Sequence, residues 1–284
     1  MHNISFLALA DQGRNAWWRY VLGTVLILLV WIIASGLIII PLVSGAVAPD
    51  SPLGLALLLL SFAPMLLMTL LVNRWLHQRP AATLFRPDGR LNWRRIGLGA
   101  ALWAALAGVA VAVEAILYPG RYALNTALVE NLPLLLVGLL LIPLQTSAEE
   151  VFVRGYLLQA TGRLTRNPLL LSVINGALFT LPHLANPEAA GQLLAAALVW
   201  FTFGVLFTLV TLRSGSLDYA LGMHAGNNLF SFAIAGYESG ALPASSLFIA
   251  SELDAVYAFV SLAAAALAAY WIFQRLESRR LAAP

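Results

Sequence analysis

Long apolar segments separated by short polar segments make up most of the chain. A membrane-spanning helix needs about 20 predominantly apolar residues. On that measure the pattern predicts eight spans, and the fifth is the shortest. They cover residues 20–43, 53–73, 96–117, 132–158, 168–183, 193–212, 217–236 and 255–273. The pattern therefore predicts an all-α, polytopic membrane protein that forms a single integral-membrane domain of residues 1–284.

The basic residues, all of them arginine, alternate between the segments that connect these spans. Arginines precede the first span and follow the second, fourth, sixth and eighth. The segments after the first, fifth and seventh spans have none, and the segment after the third has only Arg121. Because arginine-rich segments stay on the cytoplasmic side, both termini are expected there. One span more or fewer would break the alternation, so the arginines support the number eight in a multi-pass protein of the cytoplasmic membrane.

The composition identifies lipid as the main partner of the chain. Hydrophobic residues make up 61% of the chain and charged residues 10%, against about 25% charged residues in soluble domains. Cysteine is absent, which excludes disulfides, thiolate catalysis and cysteine-ligated metal. The net charge of +3 comes from arginines dispersed among the loops, so it does not indicate nucleic-acid binding. The first apolar segment is too long for a signal peptide and predicts a first span instead.

Three charged residues lie near the end of the fourth predicted span: Glu149, Glu150 and Arg154. A charge inside a spanning helix costs a few kcal/mol or more, so it is rare without a partner and a role. Neighbouring helix positions point about 100° apart, so we expect the two glutamates not to face one spot. Glu150 and Arg154 are four residues apart and can pair. A purely structural ion pair explains those two residues and leaves Glu149 free for chemistry.

Three further polar residues lie on later spans. His183 ends the fifth span, and His224 and Asn228 share one face of the seventh. Gly222 and Gly226 beside them allow another helix to approach closely, so polar contacts between helices are the structural alternative. At about 1.5 Å per residue, all four candidate groups lie at most about 22 Å from the arginine-rich side. We therefore expect them to meet at one level that is reached from the cytoplasm.

These residue types suit hydrolysis of an amide without a nucleophilic serine or cysteine. A buried carboxylate can act as a general base on water, and a histidine can orient that water. A second histidine and an asparagine can donate hydrogen bonds to an oxyanion. Alternatively, Glu149, His183 and His224 could hold a divalent metal such as zinc. The motif HExxH is absent, so no familiar zinc spacing supports that alternative.

The chain resembles a family of intramembrane proteases. The family is the CAAX-protease and bacteriocin-processing family, which includes the type II CAAX prenyl endopeptidases. Three motifs carry the resemblance, in the family's order and on separate predicted spans: Glu149-Glu150-x-x-x-Arg154, Phe179-x-x-x-His183 and His224-x-x-x-Asn228. Together they define a catalytic core of about residues 130–235.

The resemblance implies an intramembrane endopeptidase that acts on a membrane-associated protein or peptide. The implied roles are water activation by Glu149, water positioning by His183, an oxyanion hole from His224 and Asn228, and support from Glu150 and Arg154. Both a metal-dependent and a metal-free, glutamate-dependent mechanism are compatible with the family.

Two other functions use the same residues. A non-proteolytic immunity or scaffold protein on this fold would keep the Glu150–Arg154 pair without needing Glu149. A proton-coupled transporter would use Glu149, His183 and His224 as a relay. The chain lacks the internal repeat that many transporters show, which counts against the transporter.

Overall fold

The computed structural model describes residues 6–238 and 240–282, and α-helices dominate this part of the chain. The helices are α1 (Trp17–Ile38), α2 (Ile40–Val43), α3 (Pro52–Leu60), α4 (Ala63–Trp75), α5 (Trp93–Leu117), α6 (Leu132–Glu150), α7 (Leu158–Thr161), α8 (Pro168–His183), α9 (Leu193–Ser214), α10 (Asp218–Ala233) and α11 (Ala255–Ala282). The predicted domain of residues 1–284 also includes residues 1–5, 239, 283 and 284, which lie outside the described ranges.

A helix occupies every one of the eight predicted spans. The second span is divided into α3 and α4, and the fourth runs from α6 through a π-helix, Val151–Leu157, into α7. Within residues 6–238 and 240–282, six helical segments are long and apolar enough to cross a membrane. They are Trp17–Ile38, Pro52–Trp75, Trp93–Leu117, Leu132–Thr161, Leu193–Ser214 and Ala255–Ser278. The prediction of an all-α, multi-pass membrane fold is confirmed.

Two of the eight predicted spans are occupied by short helices, α8 and α10. Each has 16 residues and is therefore about 24 Å long, less than the hydrocarbon thickness of about 30 Å. The number eight and the cytoplasmic location of both termini stay predictions. These two helices carry His183, His224 and Asn228, and both pack against longer helices.

Glycines hold the short helices close to their neighbours. A Cβ atom on Gly222 of α10 would lie 2.0 Å from the Ile96 carbonyl oxygen of α5. Gly226 faces the α5 backbone in the same way. A Cβ atom on Gly204 of α9 would lie 2.6 Å from the Cα of Gly176 in α8. The predicted close approach at Gly222 and Gly226 is therefore present, because only a hydrogen fits between these backbones.

A small sheet, absent from the sequence prediction, lies in the arginine-poor connections. It contains β1 (Tyr122–Leu124), β2 (Ala235–Tyr237) and β3 (Phe248–Ala250) in the order β1-β3-β2. β1 is antiparallel to β3, and β2 is parallel to it. The prediction that the seventh span reaches residue 236 is wrong, since α10 ends at Ala233 and β2 follows.

At the arginine-rich end, His77 joins three parts of the chain. Its Nδ1 is 2.9 Å from the carbonyl oxygen of Arg14, and its Nε2 is 2.9 Å from the hydroxyl of Tyr156. A carbonyl oxygen only accepts hydrogen bonds, so Nδ1 carries the hydrogen and Tyr156 donates to Nε2. Burial and the neighbouring Arg79 guanidinium lower the pKa of His77 to about 4. The neutral ring therefore fixes the N-terminal segment against the π-helix.

Candidate active site

The first part of the site is the junction between α6 and the π-helix. Glu149 and Glu150 are the last residues of α6, and Arg154 lies in the π-helix, Val151–Leu157. Short π-helical segments are rare and frequently occur at functional sites. Nη1 of Arg154 donates to Oε1 of Glu150 at 2.8 Å, and both side chains are fully buried. The predicted pairing of these two residues is present.

Both glutamates also face one imidazole ring, that of His224 on α10. Nδ1 of His224 donates to Oε1 of Glu150 at 2.8 Å, and Nε2 lies 3.4 Å from Oε2 of Glu149. The expectation that the two glutamates face different spots is therefore wrong, although Oε2 of Glu149 makes no hydrogen bond to the described residues. The two ring nitrogens point in different directions. One imidazole can therefore contact both carboxylates, although neighbouring side chains project from the helix about 100° apart.

Aromatic rings surround the charged groups. The Arg154 guanidinium carbon lies 4.2 Å from the ring centre of Phe179 and 5.4 Å from that of Phe207. The Phe179 ring centre is 4.6 Å from that of His183 and 5.8 Å from that of His224. Cation–π contacts of this kind stabilise a guanidinium that is shielded from water. Phe179 thus contacts both histidine rings and covers the arginine.

His183 lies at the end of α8 and is half-buried. Its Nδ1 is 2.7 Å from the carbonyl oxygen of Phe179, so Nδ1 carries the hydrogen and Nε2 of the neutral ring accepts. The helix continues through Pro182 to reach this residue. The Trp200 ring of α9 lies 5.4 Å from the His183 ring.

Asn228 belongs to a chain of polar groups that the sequence analysis missed. Its Nδ2 donates to Oε1 of Gln145 at 3.2 Å, and its Oδ1 accepts from Nδ2 of Asn227 at 3.0 Å. Oδ1 of Asn227 in turn accepts from Nε1 of Trp103 at 2.9 Å. Gln145 lies one helical turn before Glu149, so its presence on the same face of an apolar segment was a usable signal.

Exposure distinguishes Glu149 from its neighbours. The side chains of Glu150 and Arg154 are 0% exposed, whereas His224 is 7% and Glu149 13% exposed. Oε2 of Glu149 is nevertheless buried and has no hydrogen-bond donor among the described residues. Of the two glutamates, Glu149 is therefore the one that an incoming water or peptide can reach. Its Oε2, which has no donor among the described residues, can accept a hydrogen bond from that water or peptide.

The donors do not form a metal site. Within residues 6–238 and 240–282, no group of three or more histidine or acidic side chains is arranged to hold a metal ion. Glu149, His183 and His224, the three residues considered as ligands of zinc, do not form such a group. Structural and catalytic zinc sites use at least three protein ligands, so the described side chains do not fit a zinc ion.

The part of the chain that carries this site is similar to known proteins. Residues 129–230 match the family described as Rce1-like, type II CAAX prenyl endopeptidase. The uncharacterized protein YyaK of Bacillus subtilis (strain 168) is 40% identical over 161 residues, which are 56% of this chain and 54% of that relative. The chain thus matches about half of the length of that curated relative.

The comparison with solved structures gave no match. The family match includes all three motifs, from Glu149 to Asn228. The segment of residues 129–230, which carries all the candidate site residues, is therefore similar in sequence to the Rce1-like family.

Proposed function

We propose that the protein is an intramembrane endopeptidase that hydrolyses a peptide bond in a membrane-associated protein or peptide. One observation carries the proposal: the accessible Glu149 carboxylate lies 3.4 Å from Nε2 of His224. The buried Glu150 fixes the other nitrogen of that ring. The description of the Rce1-like family as a prenyl endopeptidase supports a CAAX-type substrate. The cytoplasmic membrane and access from the cytoplasm belong to the same proposal.

In this proposal, Glu149 and His183 activate the water. Nε2 of His183 is an acceptor, because Nδ1 donates to the Phe179 carbonyl. A water between the two residues donates one hydrogen to Glu149 and the other to His183, so an oxygen lone pair faces the substrate. Glu149 takes a proton as the water oxygen attacks the peptide carbonyl carbon, and a positioned general base of this kind contributes about 10²–10⁴-fold in rate.

In this proposal, His224 and Asn228 donate hydrogen bonds to the oxyanion. The Nδ1 hydrogen of His224 is committed to Glu150, so donation from Nε2 requires the imidazolium form, for which the two glutamates are the nearest counter-charges. Nδ2 of Asn228 has two hydrogens, and only one is used by Gln145. The second is available to the oxyanion. Collapse of the tetrahedral intermediate then releases the amine, which takes the proton held by Glu149.

The decisive experiment compares two glutamate variants in nanodiscs. The substrate is an internally quenched CAAX peptide with a farnesylated cysteine, offered beside the same peptide without the lipid. Glu149→Gln keeps the shape of the side chain but removes the base, so we expect cleavage to fall by about 10³-fold or more. Glu130→Gln, at an exposed position outside the site, is the matched control and should cleave like the wild type.

Three results would change the proposal. Cleavage by Glu149→Gln at the wild-type rate would remove the catalytic role. No cleavage of either peptide by the folded wild type would favour the immunity or scaffold function. Loss of activity after chelator treatment, with recovery on added zinc, would replace the metal-free mechanism by a metal-dependent one.

A further inference from the structure

A cavity lies between α5, α9, α10 and α11 and continues beneath the sheet. Its volume is about 210 Å³. Neither Glu149 nor the two histidines of the site line it. Because an apolar cavity of about 150 Å³ can hold a molecule the size of benzene, this cavity has room for a small ligand or the tip of a larger one.

The part of the cavity beside the helices is apolar and aromatic. Trp103 and Leu106 of α5, Trp200 and Phe203 of α9, and Leu262 of α11 line it. Trp103 packs on Phe203 with ring centres 5.3 Å apart. Such a wall accommodates a hydrocarbon chain, since removing apolar surface from water is favourable.

The part of the cavity beside the sheet and its connections is acidic. The lining includes the carboxylates of Glu114, Glu188, Glu252 and Asp254. Nε of Arg121 lies 2.8 Å from Glu114, and its Nη1 lies 3.9 Å from Asp254. One guanidinium thus pairs with two of the four carboxylates, so the charge around the cavity remains negative.

Glu188 provides an unoccupied acceptor in this acidic part. Its Oε1 accepts a hydrogen bond from the backbone N–H of Ala241 at 2.8 Å. Its Oε2 is buried and has no donor among the described residues. A buried carboxylate oxygen without a donor is costly, so a donor from a ligand would satisfy it.

Tyrosine rings accompany the carboxylates. Tyr122, Tyr237 and Tyr257 all line the cavity. Burial and the nearby Glu188 carboxylate raise the pKa of Tyr237, so this ring stays a neutral phenol. Aromatic faces attract organic cations through the ring quadrupole, and aromatic cages are a recurring means of binding ammonium groups.

We propose that this cavity binds an alkylammonium ligand. The hydrocarbon chain lies against Trp103 and Phe203, and the ammonium group lies beside Glu188 and the tyrosine rings. Charge complementarity decides in favour of a cation, because an alkyl carboxylate of the same length would meet the uncompensated carboxylates. The cavity shares Trp103 and Asn227 with the hydrogen-bond chain to Asn228, whereas the ammonium position beside Glu188 is separate from Glu149.

The test uses the full chain in nanodiscs and isothermal titration calorimetry, with n-hexylammonium, hexan-1-ol and hexanoate as probes. Empty nanodiscs correct for partition into lipid. We expect saturable binding of hexylammonium, at least tenfold weaker binding of hexanol, and no saturable binding of hexanoate. Glu188→Gln, which keeps the acceptor for Ala241, should weaken hexylammonium binding at least tenfold.

A second variant blocks the cavity without changing its charge. Ala258→Phe fills the cavity from α11, where Ala258 lines it, and should abolish saturable binding. Glu130→Gln should bind like the wild type. The proposal is overturned if the wild type binds none of the probes saturably, if hexanoate binds as tightly as hexylammonium, or if Ala258→Phe leaves binding unchanged.

Discussion

Glu150 and His224 share a hydrogen bond of 2.8 Å between Oε1 and Nδ1. The same oxygen also accepts from Arg154 at 2.8 Å. One buried oxygen therefore neutralises the guanidinium and orients the imidazole. Glu150 couples the stability of the bundle to the geometry of the ring that faces Glu149.

Replacing Glu150 should therefore affect stability and catalysis together. Glu150→Gln leaves Arg154 buried without its counter-charge, and breaking a buried ion pair costs about 3–5 kcal/mol. It also weakens the acceptor that orients His224, so kcat should fall as well. Thermal unfolding in detergent and kinetics with the quenched peptide measure the two effects.

A double variant distinguishes the two roles of Glu150. Glu150→Leu with Arg154→Met removes both buried charges, so stability should recover relative to Glu150→Gln. Activity should not recover, because Nδ1 of His224 still lacks an acceptor. Wild-type activity in the double variant would contradict the orienting role.

The hydrogen-bond chain from Trp103 through Asn227 to Asn228 leads to a prediction about kcat. Asn227→Leu removes both the donor to Asn228 and the acceptor for Trp103, so only the bond to Gln145 still orients the Asn228 amide. We expect kcat to fall roughly tenfold with little change in KM, because the lost order matters in the transition state. Trp103→Phe keeps the aromatic ring and should have a smaller effect. A change confined to KM would show that Asn227 contributes to substrate binding instead.

Much of the architecture could be predicted because the deciding signals are local. The predicted fifth span and α8 have the same bounds, 168–183. Pro168 occupies the first helical position, and the side chain of Asn167 accepts hydrogen bonds from the next backbone amides. Both features are recognised start signals of a helix. The Glu150–Arg154 pair was equally local, since residues four apart on a helix are neighbours.

The rest of the site depends on how the helices face one another. That both glutamates contact His224 depends on where α10 lies beside α6, which spacing along one helix does not determine. The hydrogen bond between Gln145 and Asn228 and the contact of Phe207 with Arg154 likewise depend on how separate helices pack. The π-helix left no local pattern, and strands of three residues are too short to show alternation.

The contact of α5 with α10 predicts that two glycines on facing helices respond differently to one methyl group. On Gly222, a Cβ atom would lie 2.0 Å from the Ile96 carbonyl oxygen, so Gly222→Ala should destabilise the protein by about 1–3 kcal/mol. On Gly97 of α5, a Cβ atom would meet nothing within 4 Å. Gly97→Ala should be neutral or stabilise by up to about 1 kcal/mol through helix propensity. Equal melting temperatures for the two variants would contradict the close crossing.

His77 predicts a loss of stability on acidification. The folded protein holds the pKa of His77 at about 4, against about 6.5 in the unfolded chain. Between these values the unfolded state binds the additional proton, so stability falls as the pH decreases from 6.5 to 4. The stabilisation is complete above pH 6.5, and its loss amounts to about 3 kcal/mol at pH 4 and below. The ring is 0% exposed, so solvent screens this effect little.

His77→Gln isolates that contribution from the other histidines. The glutamine amide can donate to the Arg14 carbonyl, and its oxygen can accept from Tyr156, but the side chain does not titrate. Free energies of unfolding from pH 4 to pH 8 should therefore fall less steeply toward acid in the variant than in the wild type. The difference should be confined to pH 4–6.5, because neither state of His77 changes its charge outside that interval. Parallel curves for the two proteins would show that the His77 ring is not held in its neutral form between Arg14 and Tyr156.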